Sequence, residues 1–249
     1  MIKLVLIRHG QTTYNRDSFF TGWTDVELTK RGINEAKKAG KILKEKNFTF
    51  DIAFTSVLKR AVDTTNIVLT EMGLKKIPVF KSWKLNERHY GALQGLNKEE
   101  MAAKYSEEQV LKWRRSYGIR PPALKKSDRR WPGNEAKYKD IGKKSLPLTE
   151  SLKDTVDRVL PYWKKEIVPE LKKEKKVLIS ASGNSLRALV KHIDNFTDDK
   201  IVSFTVPYGV PIVYELDKKL KPLKRYFLGN PKEIKKVIEE IEGQGKARK

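Results

Sequence analysis

The chain has 249 residues, a formal net charge of +22 and no cysteine, which excludes disulfides, thiolate metal sites and cysteine nucleophiles. No apolar run approaches the roughly 20 residues of a membrane span, and the short apolar run near the N-terminus is interrupted by Arg8 and His9 rather than built as a signal peptide, so a soluble cytoplasmic protein is expected. The length suits one large α/β domain over residues 1–249, and much of the charge lies in pairs such as Lys37-Lys38 and Lys235-Lys236 on apparent helix faces, which favours a solvated surface around a site for anionic small molecules over a nucleic-acid face.

Leu4 to Ile7 reads as a strand buried on both faces. It ends in Arg8-His9-Gly10, at the position where open α/β sheets place their ligand crevice. Thr29 is positioned to cap a helix running to about Lys46, with Ile33, Ala36, Gly40 and Leu43 on one face. Ile52 to Thr55 is a second buried strand, followed at once by a helix with Ser56 as its cap and Lys59-Arg60 in the first turn. This alternation predicts an α/β fold with a mostly parallel sheet flanked by helices.

Ile77 to Phe80 forms a short third strand. The segment Ser82–Asn97 is aperiodic and crowded with functional groups, among them Glu87, Arg88, His89 and Tyr90, so it is a site candidate. Asn97-x-x-Glu100 and Ser106-x-x-Gln109 resemble capping boxes opening two helices, the second carrying Arg114-Arg115. Residues 117–147 hold four prolines, and twelve basic residues face three acidic ones between Lys112 and Lys144; this reads as a mostly solvated excursion. Ser151 opens a helix that Pro161 kinks. Lys176 to Ser180 is a buried strand, followed by the turn Ala181–Ser185 and a helix from about Leu186. A hairpin of Pro211–Leu216 and Lys224–Phe227, a helix from Pro231 to about Ile241 and a mobile basic tail over 243–249 close the chain.

Phosphate chemistry unites the candidates. Arg8 and Arg60, from neighbouring strand-to-helix turns, can converge on one tetrahedral anion. Asn184 and the backbone N–H groups near Ser185 open another helix, where an anion is favoured. No P-loop, HExxH pair or metal-ligand spacing is present, and His192 reads as structural. His9 can act as a nucleophile if its other ring nitrogen is fixed by an acceptor. Glu87 can move the proton, or simply pair with Arg88 or Arg60.

The stretches Leu6–Gly10, Phe20–Trp23, Thr55–Ala61, Leu85–Gly91, Gly95–Lys98, Trp113–Tyr117, Glu150–Thr155 and Pro211–Asp217, with Gln244-Gly245-Lys246 at the end, resemble in order the motifs of cofactor-dependent phosphoglycerate mutases. The Arg-His-Gly motif alone would mark only the wider histidine phosphatase superfamily. The resemblance implies a three-layer α/β/α, phosphoglycerate mutase-like fold. It also implies an isomerase of glycolysis and gluconeogenesis that interconverts 3-phosphoglycerate and 2-phosphoglycerate. The intermediate would be a phosphohistidine primed by 2,3-bisphosphoglycerate, with no metal, nucleic acid or membrane involved, in a homodimer or homotetramer. His9 would be the phosphorylated nucleophile and Glu87 the general acid/base. Arg8, Asn15 and Arg60 match phosphate-binding positions. Thr21, Gly22, Arg88, His89, Tyr90, Lys98, Arg114 and Arg115 match positions around the substrate, and Gly183 and Asn184 match the later turn. Arg114 and Arg115 lie about 100° apart on a helix, so one would meet a carboxylate and the other a phosphate.

Two stretches depart from that pattern. The family reads Ala-His-Gly-Asn-Ser where this chain reads Ala181-Ser182-Gly183-Asn184-Ser185. Ser182 thus stands at the position of the second catalytic histidine, and loss of one preorganised donor lowers the expected rate by about 10²–10³. Residues 123–146 also differ in composition. The alternatives are a histidine phosphatase that passes the phosphoryl group to water, a bisphosphoglycerate synthase or phosphatase, and, more remotely, a non-catalytic binder of polyanions.

Overall fold

A computed structural model describes residues 1–245. Strand β1 (Ile2–Arg8) lies inside a six-stranded sheet and has no solvent-exposed edge, which is why its four central residues are all apolar. After it come α1 (Thr13–Arg16), α2 (Lys30–Glu45), β2 (Ile52–Thr55), α3 (Lys59–Met72) and β3 (Val79–Lys81). Helices α4 (Lys98–Tyr105) and α5 (Glu107–Arg115) precede the excursion; α6 (Leu152–Tyr162) and α7 (Val168–Lys172) follow it. The chain closes with β4 (Val177–Ala181), α8 (Gly183–Ile193), α9 (Asp198–Ser203), β5 (Pro211–Leu216), β6 (Pro222–Phe227) and α10 (Pro231–Gly243).

The strand order is β3-β2-β4-β1-β5-β6. The β3–β2, β2–β4 and β4–β1 pairings are parallel, and the closing β1–β5 and β5–β6 pairings are antiparallel. Side chains alternate across β1. Leu4 and Leu6 join a core with residues of α6 and α8, whereas Val5 and Ile7 join one with α2 and α3. The expected three-layer α/β/α architecture is what the chain adopts, with the carboxyl ends of β1, β2 and β4 at one rim.

Several local expectations change. Ile33 points to solvent, and α2 buries Gly32, Ala36, Ala39, Gly40 and Leu43 instead. Helix α3 starts at Lys59 with Leu58 at its N-cap; the Ser56 hydroxyl is used one turn earlier, accepting from Leu58 N at 3.2 Å. Helix α8 begins at Gly183, three residues before the expected start, which places Gly183 and Asn184 in its first turn. Pro161 is followed by a π-helical turn, Trp163–Ile167. The excursion is less solvated than its composition suggests: Leu124, Trp131, Tyr138 and Leu146 form a small core with Trp23. The tail is not free over 243–245. Gly243 ends α10, and Gln244 is bound over the site described below; 246–249 lie outside the described residues.

Candidate active site

His9 follows β1 directly, and its backbone N–H donates to Ala181 O at 3.0 Å. The ring is almost fully buried, with 2 % of the residue exposed. Nδ1 lies 2.8 Å from Gly10 O. A carbonyl can only accept, so Nδ1 carries the proton and Nε2 presents its lone pair. Arg60 Nε donates to that Nε2 at 3.1 Å. Burial, then Arg60, then Arg8 push the His9 pKa well below its ordinary value, against the opposing effect of Gly10. The ring is therefore neutral and held in one orientation, with Nε2 facing Arg60.

The two arginines are fixed from behind. Arg60 donates to Thr24 O and Gly22 O at 3.0 and 2.7 Å. Arg8 donates to Val206 O at 2.9 Å and stacks on Tyr208, 4.1 Å from the ring centre. Its buried Nε has no partner, a donor left for an anion. Gly183 packs beside it; a Cβ there would come within 3.2 Å of the guanidinium carbon, so Arg8 would have to shift slightly to admit a side chain. Gly22 has a φ of +53°, and a Cβ would meet Gln94 Oε1 at 2.0 Å; that same oxygen accepts from Trp23 N.

Glu87 lines the same pocket. Its carboxylate accepts from Arg88 N at 2.7 Å and from Asn184 N at 3.1 Å, so it rests on the first turn of α8. It uses backbone donors rather than an ion pair with Arg88 or Arg60. Further cations line the same pocket. Lys98 donates to Gln244 Oε1 at 3.0 Å, and Arg114 donates to Gln244 O and, at 3.0 Å, to Ile241 O. Arg115 also lines the pocket. Burial is the main cause that lowers Lys98 well below its ordinary pKa, Arg60 and Arg114 to about 10, and Arg187 to about 9. Desolvated cations crowded together favour an anion that carries more than one charge.

Thirteen residues expected from the sequence line this pocket: Arg8, His9, Asn15, Thr21, Gly22, Arg60, Glu87, Tyr90, Lys98, Arg114, Arg115, Gly183 and Asn184. Three do not. Arg88 is buried beneath it, donating to Tyr90 Oη and Arg114 O. His89 turns inward; its Nδ1 accepts from Gly91 N, and burial, then Arg158 and Arg130, lower its pKa to about 3. Ser182 is fully buried at the N-cap of α8, and its hydroxyl has no hydrogen-bond partner. Arg187, Thr205 and Gln244 also line the pocket, though the sequence motifs assign none of them to a site. Arg187 stands three residues after Asn184 on α8 and donates to its side chain at 2.9 Å; the i, i+3 spacing was the available signal.

A family model described as the histidine phosphatase superfamily (branch 1) matches residues 4–132, just over half the chain. The chain belongs to the histidine phosphatase superfamily. The matched span contains His9, Arg8, Arg60 and Glu87, and membership places the chain among phosphoryl-transfer enzymes. Two solved structures share its fold. The mycobacterial glucosyl-3-phosphoglycerate phosphatase with VO3 has a TM-score of 0.68 and 21% identity over 91% of this chain and 97% of its own. The alpha-ribazole phosphatase from Shigella flexneri has a TM-score of 0.67 and 21% identity over 92% and 96%. Among the described residues of this superfamily member, no helix is long and apolar enough to cross a membrane, and no group of three His, Asp or Glu is placed to hold a metal.

Proposed function

We propose that the chain transfers phosphoryl groups between phosphoglycerates through phosphorylated His9. On this reading it interconverts 3-phosphoglycerate and 2-phosphoglycerate after priming by 2,3-bisphosphoglycerate, at a rate lowered by Ser182. The observation that carries the reading is the division of the cations within one pocket. Arg60 and Arg8 act on His9, while Lys98 and Arg114 are tied to Gln244 and, with Arg115, line the same pocket. The first group suffices for one phosphate. The second suits a further phosphate or a carboxylate on the same small molecule.

In the priming step, His9 Nε2 attacks phosphorus, the P–N bond forms and the P–O ester bond breaks. Glu87 enters this step as the carboxylic acid, protonated from solvent, and the departing oxygen takes that proton. In the return step Glu87, now a carboxylate, removes the proton from the accepting hydroxyl as that oxygen attacks phosphorus and His9 leaves. Arg8 and Arg60 stabilise the charge on the transferring oxygens throughout.

Hydrolysis is the second reading. The two similar structures favour it, both being named phosphatases. Phosphorus NMR of 3-phosphoglycerate with a trace of 2,3-bisphosphoglycerate separates the two. The 2-phosphoglycerate resonance is expected to grow without matching inorganic phosphate. Inorganic phosphate alone would establish the hydrolase, and an unchanged spectrum would contradict both.

A further inference from the structure

The loop that carries Glu87 is held by a buried ion pair outside the pocket. Glu150 immediately precedes the N-cap of α6, and Arg158 lies two turns into that helix. Their side chains are each 6 % exposed. Arg158 Nε donates to Glu150 Oε1 at 2.7 Å, and its Nη2 donates to Oε2 at 2.8 Å. The remaining donors reach the loop: Trp83 O at 3.2 Å, Lys84 O at 2.8 Å, Asn86 O at 3.2 Å and Glu87 O at 3.2 Å. Glu150 grips the other side, accepting from His89 N at 2.8 Å while its own N–H donates to His89 O at 2.8 Å. Trp23 Nε1 also donates to Glu87 O, at 2.5 Å, and its ring lies 5.4 Å from the Arg158 guanidinium carbon.

We infer that Arg158 and Glu150 are positioning residues that set the Glu87 carboxyl for proton transfer, an inference that rests on the reading of Glu87 as the acid/base. A loop without regular structure must find partners for its carbonyls, and one forked guanidinium meets four of them here. A buried ion pair is weak evidence for stability, since an apolar pair can fill the same volume. An apolar pair could not bond the backbone on both sides of Glu87. Residue 87 is thereby fixed through its own carbonyl, through Asn86 before it and through His89 after it. The carboxylate at the end of that rigid peptide then meets Asn184 N. A displacement near 1 Å at such a group costs about 10²-fold in rate.

The test separates proton transfer from folding by the leaving group. Single-turnover phosphorylation of His9 is measured from 2,3-bisphosphoglycerate, whose alkoxide needs a proton, and from p-nitrophenyl phosphate, whose nitrophenolate leaves without one. Glu87→Gln is expected to slow the first reaction by about 10²–10⁴ and the second far less. Arg158→Lys is expected to slow the first by about 10-fold or more and the second by under about 3-fold, with KM nearly unchanged. Adding it to Glu87→Gln should cause no further loss. Glu150→Gln gives the same selective pattern more mildly and carries the test if Arg158→Lys does not fold. Equal losses on both esters, a change confined to KM, or full additivity with Glu87→Gln would overturn the positioning role. Equal losses in Glu87→Gln itself would instead remove the acid/base reading, and this inference with it.

Discussion

Replacing His9 with Gln is expected to lower phosphoryl transfer by about 10⁴-fold or more, the scale on which losing a covalent nucleophile acts. Gln keeps a polar side chain of similar reach, and an amide cannot form the phosphoryl intermediate. The fold should survive, because β1 is held by its pairings to β4 and β5 and by two cores that do not include His9. Steady-state kinetics with an unchanged melting curve would check this. The parent enzyme should also show no loss of activity from His9 protonation as pH falls from about 7.5 to 6, because the depressed pKa keeps the ring neutral there. A variant retaining more than about one-tenth of the activity would exclude His9 as the nucleophile.

Ser182→His is the second large effect, in the opposite direction. Arg8 pairs with Ala181 at the last register position of β1 and β4, so His9 and Ser182 each follow that pair directly at the same rim. An imidazole at 182, longer than the buried serine, is expected to reach from there toward the phosphoryl oxygens. The Ser182 hydroxyl makes no hydrogen bond, so its removal breaks none. The turn keeps its bond from Ser182 N to Ser185 Oγ, at 3.2 Å, in either case. Transfer is expected to rise by about 10²–10³-fold, the value of one preorganised donor. The check is the rate of His9 phosphorylation in the two proteins side by side. An unchanged rate would mean that position 182 contributes nothing to transfer.

The sheet and most residues lining the pocket were legible because each rests on a local pattern. Four buried apolar residues ending in Arg-His-Gly need no distant information, and the strand–helix alternation carries Arg60 and Asn184 to the same rim. The neutral tautomer of His9 was not legible, since it depends on the Gly10 carbonyl and on burial. Nor was the inward turn of His89, which follows from a bond to Gly91 N two residues away. Trp23 is more than a hundred residues from Trp131 and Tyr138, so no periodicity shows that it shares a core with them. Arg158 sits on an amphipathic helix where a solvated arginine would look the same. Gln244 lies in a polar tail, and only its contacts with Lys98, Arg114 and Asn15 reveal its place over the site.

The most direct test of the proposed phosphoryl intermediate on His9 is mass spectrometry of the intact chain after brief incubation with 2,3-bisphosphoglycerate, followed by peptide mapping under conditions that preserve acid-labile phosphoryl groups. One phosphoryl group is expected, on His9 and absent from His9→Gln. An adduct on another residue, or none at saturating ligand, would contradict the assignment.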